Sequence, residues 1–417
     1  MCVAASLTRS FLTRSFKPFE FRNEYDNRLN YGSCESLGLY VHIPFCKQIC
    51  AFCPYCKELY SEEKMNRYIN ALIEEIRLVG KNHRKKKVTS LYFGGGTPAL
   101  AAKRISEIIS VIEEYFVISE GIGVELHPDN VNPETLSALK SAGVTKISIG
   151  IQSFQDKFLG ILGRKKFDRE TLAKALKTVE FETVSMDFIF ALPNQTFEDL
   201  KSDIDLAFSS GANHIAIYPF IDFTFTKSPI KAMKKAEKRA LLDKITLYCR
   251  EKGYRRDSIW TFSNNSSAKY SSMTRENFLG FGCSATTLLK KQFKINTFSV
   301  DEYCARIQQK QLPTSLTLRF TMRQRMVYWL FWTAYSTKVD PKDFENFFGI
   351  PLEKCYGAEL KIAEMLNFIT KKNGVYEMTL KGAFYYHYYE NYYTLSYIDK
   401  MWGIMRKEAF PKELILN

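Results

Sequence analysis

Along the chain, short runs rich in β-branched and aromatic residues alternate with longer stretches whose apolar residues recur every three or four positions. A period of two reads as strand and a period of 3.6 as amphipathic helix. Their regular alternation is the pattern of βα units around a parallel sheet. Residues 39–43 are the first strand. Ser61 then caps a helix with Glu62 and Glu63 in its first turn and Met65, Ile69, Leu72, Ile73, Ile76 and Val79 along one face. Residues 88–93 form the second strand, followed by a helix carrying Ile105, Ile108, Ile109 and Ile112, and residues 122–126 form the third. Asn132 caps a helix with Pro133 in its first position and Gly143 at its end, the usual asymmetry of proline and glycine. Strands at 146–151, 183–190 and 214–218 follow, with helices at 169–179 and 197–208, and a charged helix over 231–252 closes the sixth repeat. The expected fold is α/β, built of six βα units, too few for a full eight-stranded barrel.

The ends of the chain read differently. Residues 1–38 carry the repeat Leu7-Thr8-Arg9-Ser10-Phe11 and Leu12-Thr13-Arg14-Ser15-Phe16, with no acidic residue before Glu20. That fits an organelle transit segment weakly, and an N-terminal tail or an arm lying over an active site is the preferred reading. Residues 39–311 make the catalytic domain, with extra strands from Tyr254 onward. Residues 312–417 turn helical, then give Phe368-Ile369-Thr370 and Val375-Tyr376-Glu377-Met378 around Asn373-Gly374, a hairpin signal. Helices plus a small hairpin suggest a winged-helix-like domain. No Lys/Arg-rich recognition helix stands out, so a cover packed on the barrel is expected, and no nucleic acid.

Composition narrows the setting. A chain of 417 residues has room for about two or three domains. Ten cysteines are too sparse for a disulfide scaffold, and four crowd between Cys46 and Cys56, which points to a reducing, cytoplasmic compartment. A net charge of +14 suits nucleic acid, an anionic surface or an acidic small molecule and does not choose among them. The basic run from His83 to Lys87 falls between a helix and a strand, where a solvated loop explains it. No apolar run reaches the ~18 residues that span a bilayer, so membrane contact is at most peripheral.

The chemistry gathers behind the first strand. Cys46, Cys50 and Cys53 stand in the order Cys-x-x-x-Cys-x-x-Cys. Soft thiolates so close together suit an iron-sulfur cluster or zinc. A zinc knot would bring a second Cys/His pair after a longer gap, and none follows. A four-iron cluster on three cysteines keeps one iron open for chemistry. Gly94-Gly95-Gly96-Thr97-Pro98 follows the second strand and lets backbone approach a polar ligand. Glu125, Gln152 and Asp187 fall at or near strand ends, where βα barrels place their sites, and Arg164 follows soon after. Glu125 and Asp187 can accept hydrogen bonds from ribose hydroxyls or an ammonium, and Arg164 can clamp a carboxylate. Each of these alone is more often a cap or a surface ion pair.

The cysteine motif behind Tyr40-Val41-His42-Ile43-Pro44-Phe45 resembles the opening of the HemN-like radical S-adenosylmethionine (SAM) family. The glycine run and Phe278-Leu279-Gly280-Phe281-Gly282-Cys283-Ser284-Ala285 resemble two further motifs of that family, the latter Leu-Gly-x-Gly-x-Ser-Ala. The resemblance covers nearly the whole chain after Leu39. It implies a partial (β/α)6 barrel and a [4Fe-4S] cluster on Cys46, Cys50 and Cys53, whose open iron binds SAM and cleaves it to a 5'-deoxyadenosyl radical. It assigns Tyr40, Gly95 and Glu125 to the cluster-bound SAM, with Tyr40 counted beside the three cysteines as catalytic. It assigns Phe52, Gly96, Thr97, Gln152, Arg164 and Asp187 to a second SAM, and it implies a low-potential electron donor as partner. The leading expectation is oxidative decarboxylation of a coproporphyrinogen-like tetrapyrrole. The alternatives are C-methylation of an aromatic or quinone substrate and haem carriage as in HemW. Two features depart from the coproporphyrinogen dehydrogenases. Their further cysteine lies two positions after the third ligand, whereas Cys56 lies three after Cys53, and their N-terminal Tyr-Pro-Thr-Ala segment has no counterpart. Cys56 reads equally as a functional thiol, a fourth cluster ligand or a buried residue, and Cys283 as a plain thiol.

Overall fold

The computed structural model describes residues 3–24, 29–83, 85–226, 228–264 and 276–416. Its centre is six parallel strands lying side by side in chain order: β1 (Gly38–Ile43), β2 (Leu91–Gly95), β3 (Ile122–Leu126), β4 (Lys146–Gln152), β5 (Thr183–Phe190) and β6 (His214–Pro219). The associated helices are α1 (Glu62–Gly80), α2 (Ala102–Tyr115), α3 (Pro133–Ser141), α4 (Arg169–Leu176), α5 (Phe197–Ser209) and α6 (Lys235–Glu251). Strand periodicity sorts the side chains. Leu39, Val41 and Ile43 of β1 are buried, and so are Met65, Ile69, Leu72 and Ile76 of α1, all in one core. Each such side chain contributes about 1.5–3 kcal/mol by leaving water. The alternate positions, Tyr40 and His42 in β1, point to the other face, where the site is built.

Helix starts follow local chemistry. The side chains of Ser61 and Asn132 accept from Lys64 N and Thr135 N, and Thr196 with Asp199 forms a reciprocal capping box. Some boundaries differ from the sequence reading. The strand expected over 88–93 is two, because Thr89 and Ser90 interrupt it: Lys86–Val88 pairs with Phe116–Ile118, and β2 begins at Leu91. The helices expected over 169–179 and 231–252 are the shorter α4 and α6.

The sheet continues past the six strands. Phe278–Phe281 pairs in parallel with β1, and Thr286–Leu289, Gln292–Asn296 and Thr314–Arg319 extend it as an antiparallel meander. Phe19–Arg22 then lies between Thr314–Arg319 and Glu413–Leu416, with Phe21 opposite both Leu318 and Leu414. The resulting fourteen-stranded sheet has two separate edges among the described residues, so the barrel is open as expected. The segment read as a tail therefore carries a strand of the main sheet, and helix Val3–Thr13 packs near helices Met322–Tyr335 and Leu380–Tyr393. Four residues are too few for periodicity to register, and their partners lie about 300 to 400 positions away. Sheet pairing crosses both boundaries expected at 38 and 312.

Near the C-terminus, Lys338–Val339, Val375–Met378 and Ile369–Lys372 form a small antiparallel sheet. The expected hairpin turns at Asn373 and Gly374, whose φ values of 51° and 84° are those of a type I′ turn. Trp329, Phe344, Phe348, Leu352 and Tyr356 make a separate core beside it. Further on, helix Asp399–Met405 lies against the cysteine loop. Asp399 accepts from the backbone N and Oγ1 of Thr224, both at 2.7 Å. Arg406 donates to the Pro54 carbonyl, and the Trp402 ring meets Tyr55 at 5.8 Å. Among the described residues, no helix is long and apolar enough to cross a membrane.

Candidate functional site

The inward positions of β1 to β5 read Tyr40 and His42, Tyr92 and Gly94, Gly123 and Glu125, Ser148, Gly150 and Gln152, then Ser185 and Asp187. This face is polar because it lines a cleft rather than a core. Tyr40 Oη lies 3.0 Å from His42 Nδ1. Glu125 accepts from Tyr92 Oη and from the backbone N of Gly95, both at 3.2 Å. A Cβ on Gly94 would stand 2.9 Å from Tyr40 Oη and 3.2 Å from Glu125 Oε1, so only glycine leaves this junction open. Asp187 accepts from Ser148 Oγ at 3.0 and 2.9 Å and from Ser185 Oγ at 3.3 Å.

Both carboxylates are partly exposed to the cleft and enclosed by protein elsewhere. Burial pushes Glu125 up to about 7, helped by the charge of Asp187 and opposed by the Gly95 and Tyr92 hydrogen bonds. Burial likewise pushes Asp187 up to about 6 against its serine partners. Two acids poised near neutrality are ready to accept a cation, which would draw both back toward the charged form.

The cysteine loop is fastened to this face. Phe45–Cys46 bridges to Glu58–Leu59, and Cys53 N donates to Cys50 O at 3.3 Å in a turn between the last two thiols. Gly96 N and Thr97 N reach Ile43 O and Phe45 O at 2.9 and 2.8 Å, and Thr97 Oγ1 points at Cys46 Sγ across 3.7 Å. Phe52 packs on the apolar cluster of Phe158, Leu162, Ile189, Leu192 and Phe220. Gln48 Nε2 donates to Gly163 O at 3.1 Å, tying the loop to the turn that carries Arg164. Arg164 gives one guanidinium N–H to Gly150 O at 3.2 Å, while its Nε is buried without a partner. Its charge, after burial, also holds His127 down to about 4.

The structure thus joins Cys46, Thr97, Gly95, Glu125 and Tyr40 in one connected set, with Asp187 coupled to Glu125 by charge. Arg164 and Gln152 sit together beside Gly150: a Cβ there would stand 2.9 Å from Gln152 Nε2 and 3.5 Å from the Arg164 guanidinium. Phe52 acts in packing. The sequence reading missed Tyr92, Ser148 and Ser185 as partners of the acids, although the period of two places each on the same face as a residue it named. It also missed the surroundings of Cys56. Cys56 Sγ lies 3.9 Å from Cys283 Sγ and donates to Phe298 O at 3.2 Å, while His42 Nε2 is 3.1 Å from Cys56 O. The Cys283 contact holds Cys56 well below the usual thiol range, and burial drives Cys283 well above it.

Cys46, Cys50 and Cys53 are free and partly exposed. Burial pushes Cys46 up to about 11 and raises Cys50 as well, and each is pushed further by the charges of neighbouring thiols in the trio. Three thiols close enough to feel one another, unpaired and open to a cleft, fit a cluster that binds each sulfur at a different iron. The orphaned Arg164 Nε fits an anionic or carbonyl group in the same cleft.

Residues 40–207 match the Radical SAM superfamily. The chain is 26% identical to the heme chaperone HemW of Bacillus subtilis, over 82% of this chain and 95% of that protein. It is 24% identical to the oxygen-independent coproporphyrinogen III oxidase of Pseudomonas aeruginosa, over 78% and 77%. Its fold superposes on the solved structure of coproporphyrinogen III oxidase (HemN) from Escherichia coli with a TM-score of 0.75, covering 92% of this chain and 98% of that one at 19% identity. The cofactors of the superfamily are a [4Fe-4S] cluster and SAM. Residues 40–207 thus match a radical SAM domain, on a chain with the fold of HemN that is similar to the HemW chaperones and the oxygen-independent coproporphyrinogen III oxidases.

Proposed function

We propose that this chain binds a [4Fe-4S] cluster and SAM at the strand-end cleft and handles a tetrapyrrole there. The observation that carries the reading is the connected set of Cys46, Thr97, Gly95, Glu125 and Tyr40 on one inward face. Cys46, Cys50 and Cys53 would hold the cluster, which, once reduced by an electron donor, would supply the electron for reductive cleavage of SAM. Glu125, Gly95 and Tyr40 orient the SAM on the cluster. Thr97 steadies the Cys46 sulfur with its hydroxyl. Phe52, Gly96, Thr97, Gln152, Arg164 and Asp187 line the place of a second SAM, where the free Arg164 Nε would take a carboxylate.

Between the tetrapyrrole roles, haem carriage is favoured by position 55. It holds the ring of Tyr55, against Trp402, where the dehydrogenase resemblance asks for a cysteine. The near-complete coverage of the Bacillus subtilis HemW supports the same choice. Decarboxylation of coproporphyrinogen is the second reading, supported by the match to the Pseudomonas aeruginosa oxidase. Reconstituted protein is offered haem and, separately, coproporphyrinogen III with SAM and a reductant. Stoichiometric haem binding with no carbon dioxide released upholds carriage. Multiple-turnover carbon dioxide release without haem binding selects the oxidase.

SAM affinity carries a signature of Glu125 under either reading. SAM is a cation at its sulfonium and ammonium, so its binding favours ionised Glu125 and expels the proton that burial retains. With Glu125 near 7, the association constant rises about tenfold between pH 6 and pH 8. Equilibrium dialysis checks this, and the slope flattens in Glu125→Gln.

A further inference from the structure

Among the described residues, one trio of possible metal ligands has all its ligand atoms within 4.8 Å of one another, and it is not the cluster-binding trio. It is His42, Cys56 and Cys283, exposed by only 3%, 6% and 0%. We propose that these three side chains form a second metal site, for a single divalent ion of the zinc type, separate from the cysteines of the cluster loop.

The three ligands come from three places that the fold holds in register. His42 lies in β1, Cys56 follows the cluster loop, and Cys283 sits in the turn after Phe278–Phe281. That strand pairs with β1, with Phe281 opposite Val41. Tyr68 Oη locks the arrangement from α1, donating to His42 O at 2.7 Å and accepting from Cys283 N at 2.9 Å. Neither cysteine is asked for by the family motifs. Cys56 falls outside the Cys-x-x-x-Cys-x-x-Cys spacing, and Cys283 occupies a free position of Leu-Gly-x-Gly-x-Ser-Ala.

The distances fit a shared ion better than a bond between sulfurs. Two thiolates on a tetrahedral zinc, each about 2.3 Å from the metal, stand about 3.8 Å apart. Cys56 and Cys283 are 3.9 Å apart, whereas a disulfide would draw them to about 2.05 Å. A ring nitrogen of His42 lies within 4.8 Å of both sulfurs; its Nε2–H donates to Cys56 O at 3.1 Å, a bond the ion would replace, and the Phe298 carbonyl, which accepts from Cys56 Sγ at 3.2 Å, stands near as a fourth donor. The charges also balance. Two thiolates, a neutral imidazole and a divalent cation sum to zero, so full burial imposes no net-charge penalty. With Nε2 on the ion, His42 Nδ1–H donates to Tyr40 Oη, the outer contact that orients a metal-bound histidine. The ion would clamp the exit of the cluster loop to β1 and leave Tyr40 aimed at the cleft.

The test uses the full chain purified without chelator, incubated with Zn2+, dialysed, and measured by elemental analysis. A Cys46→Ala/Cys50→Ala/Cys53→Ala variant is treated identically, so cluster iron and adventitious zinc on those thiols drop out. About one zinc per chain is expected in the triple-alanine chain, falling at least tenfold when Cys56→Ser or Cys283→Ser is added to it. Because either serine variant could fold poorly, Co2+ is also added to the triple-alanine chain, where a thiolate-to-metal charge-transfer band is expected. The proposal is overturned if the folded triple-alanine chain retains no zinc and shows no such band. It is equally overturned if zinc persists undiminished in both serine variants, or if Cys56 and Cys283 are isolated as a disulfide under anaerobic conditions.

Discussion

Replacing Cys50 by alanine is expected to remove the cluster and, with it, every reaction of SAM in this protein. Cys50 lies between Cys46 and Cys53 in a turn closed by the Cys53 N to Cys50 O hydrogen bond, and no described neighbour of that turn offers a fourth thiol in its place. Cys56 is engaged with Cys283 and the Phe298 carbonyl and is fully buried, so it cannot substitute without breaking those contacts. Anaerobically reconstituted Cys50→Ala should hold little iron and acid-labile sulfide, and whatever SAM cleavage the wild-type chain shows should fall by about a thousandfold or more, as when one member of a catalytic unit is lost. Thermal stability should change little, because the Cys50 side chain is partly exposed. A variant with full iron content and undiminished cleavage would remove Cys50 from the cluster.

The second large effect is on stability, at Glu75. This α1 residue is 2% exposed and accepts three hydrogen bonds: from Gly282 N at 2.7 Å, Tyr303 Oη at 2.6 Å and Asn296 Nδ2 at 3.1 Å. It joins the helix over β1 to the Gly282 turn and to the meander, elements more than 200 residues away in sequence. Glu75→Ala leaves Gly282 N and Tyr303 Oη without their acceptor, strips Asn296 Nδ2 of one of its two, and opens a cavity, at a cost of about 3–5 kcal/mol. Chemical denaturation should show the midpoint fall accordingly, whereas Glu75→Gln keeps an acceptor and costs less. Burial outweighs the three hydrogen bonds and raises Glu75 from 4.5 to about 7. The native state therefore holds this proton more tightly than the unfolded chain does. The resulting stabilisation is complete below 4.5, declines as pH rises, and is gone above about 7. Wild type should lose one proton's worth of stability across that window relative to Glu75→Gln, and parallel curves for the two would show that Glu75 does not titrate there.

The barrel was legible because its strands and helices are long enough for period to speak. The expected ranges of β3 and β5 and the caps at Ser61 and Asn132 coincide with the structure. The cysteine loop was legible because its spacing constrains chemistry, and Gly94-Gly95-Gly96 because it follows the second strand behind that loop and resembles a motif of the same family. What was hidden depends on contacts between distant parts of the chain. Phe19–Arg22 gains its strand character from Leu318 and Leu414, and nothing within its four residues announces it. Cys283 read as a plain thiol because its partner is Cys56, 227 positions earlier. Glu75 looked like one more charged residue on a helix face until the Gly282 turn folded onto it. Tyr92, Ser148 and Ser185 are a different case, since strand alternation already placed them on the face of Glu125 and Asp187.

The central claim, that this cleft holds a cluster with one iron open to SAM, is tested most directly by electron paramagnetic resonance of the reconstituted, reduced protein before and after SAM is added. It applies whether the chain carries haem or decarboxylates a porphyrinogen. The account predicts a reduced four-iron signal that changes when SAM binds, and a weaker response at equal SAM in Glu125→Ala. A full four-iron signal that saturating SAM leaves unaltered would contradict it.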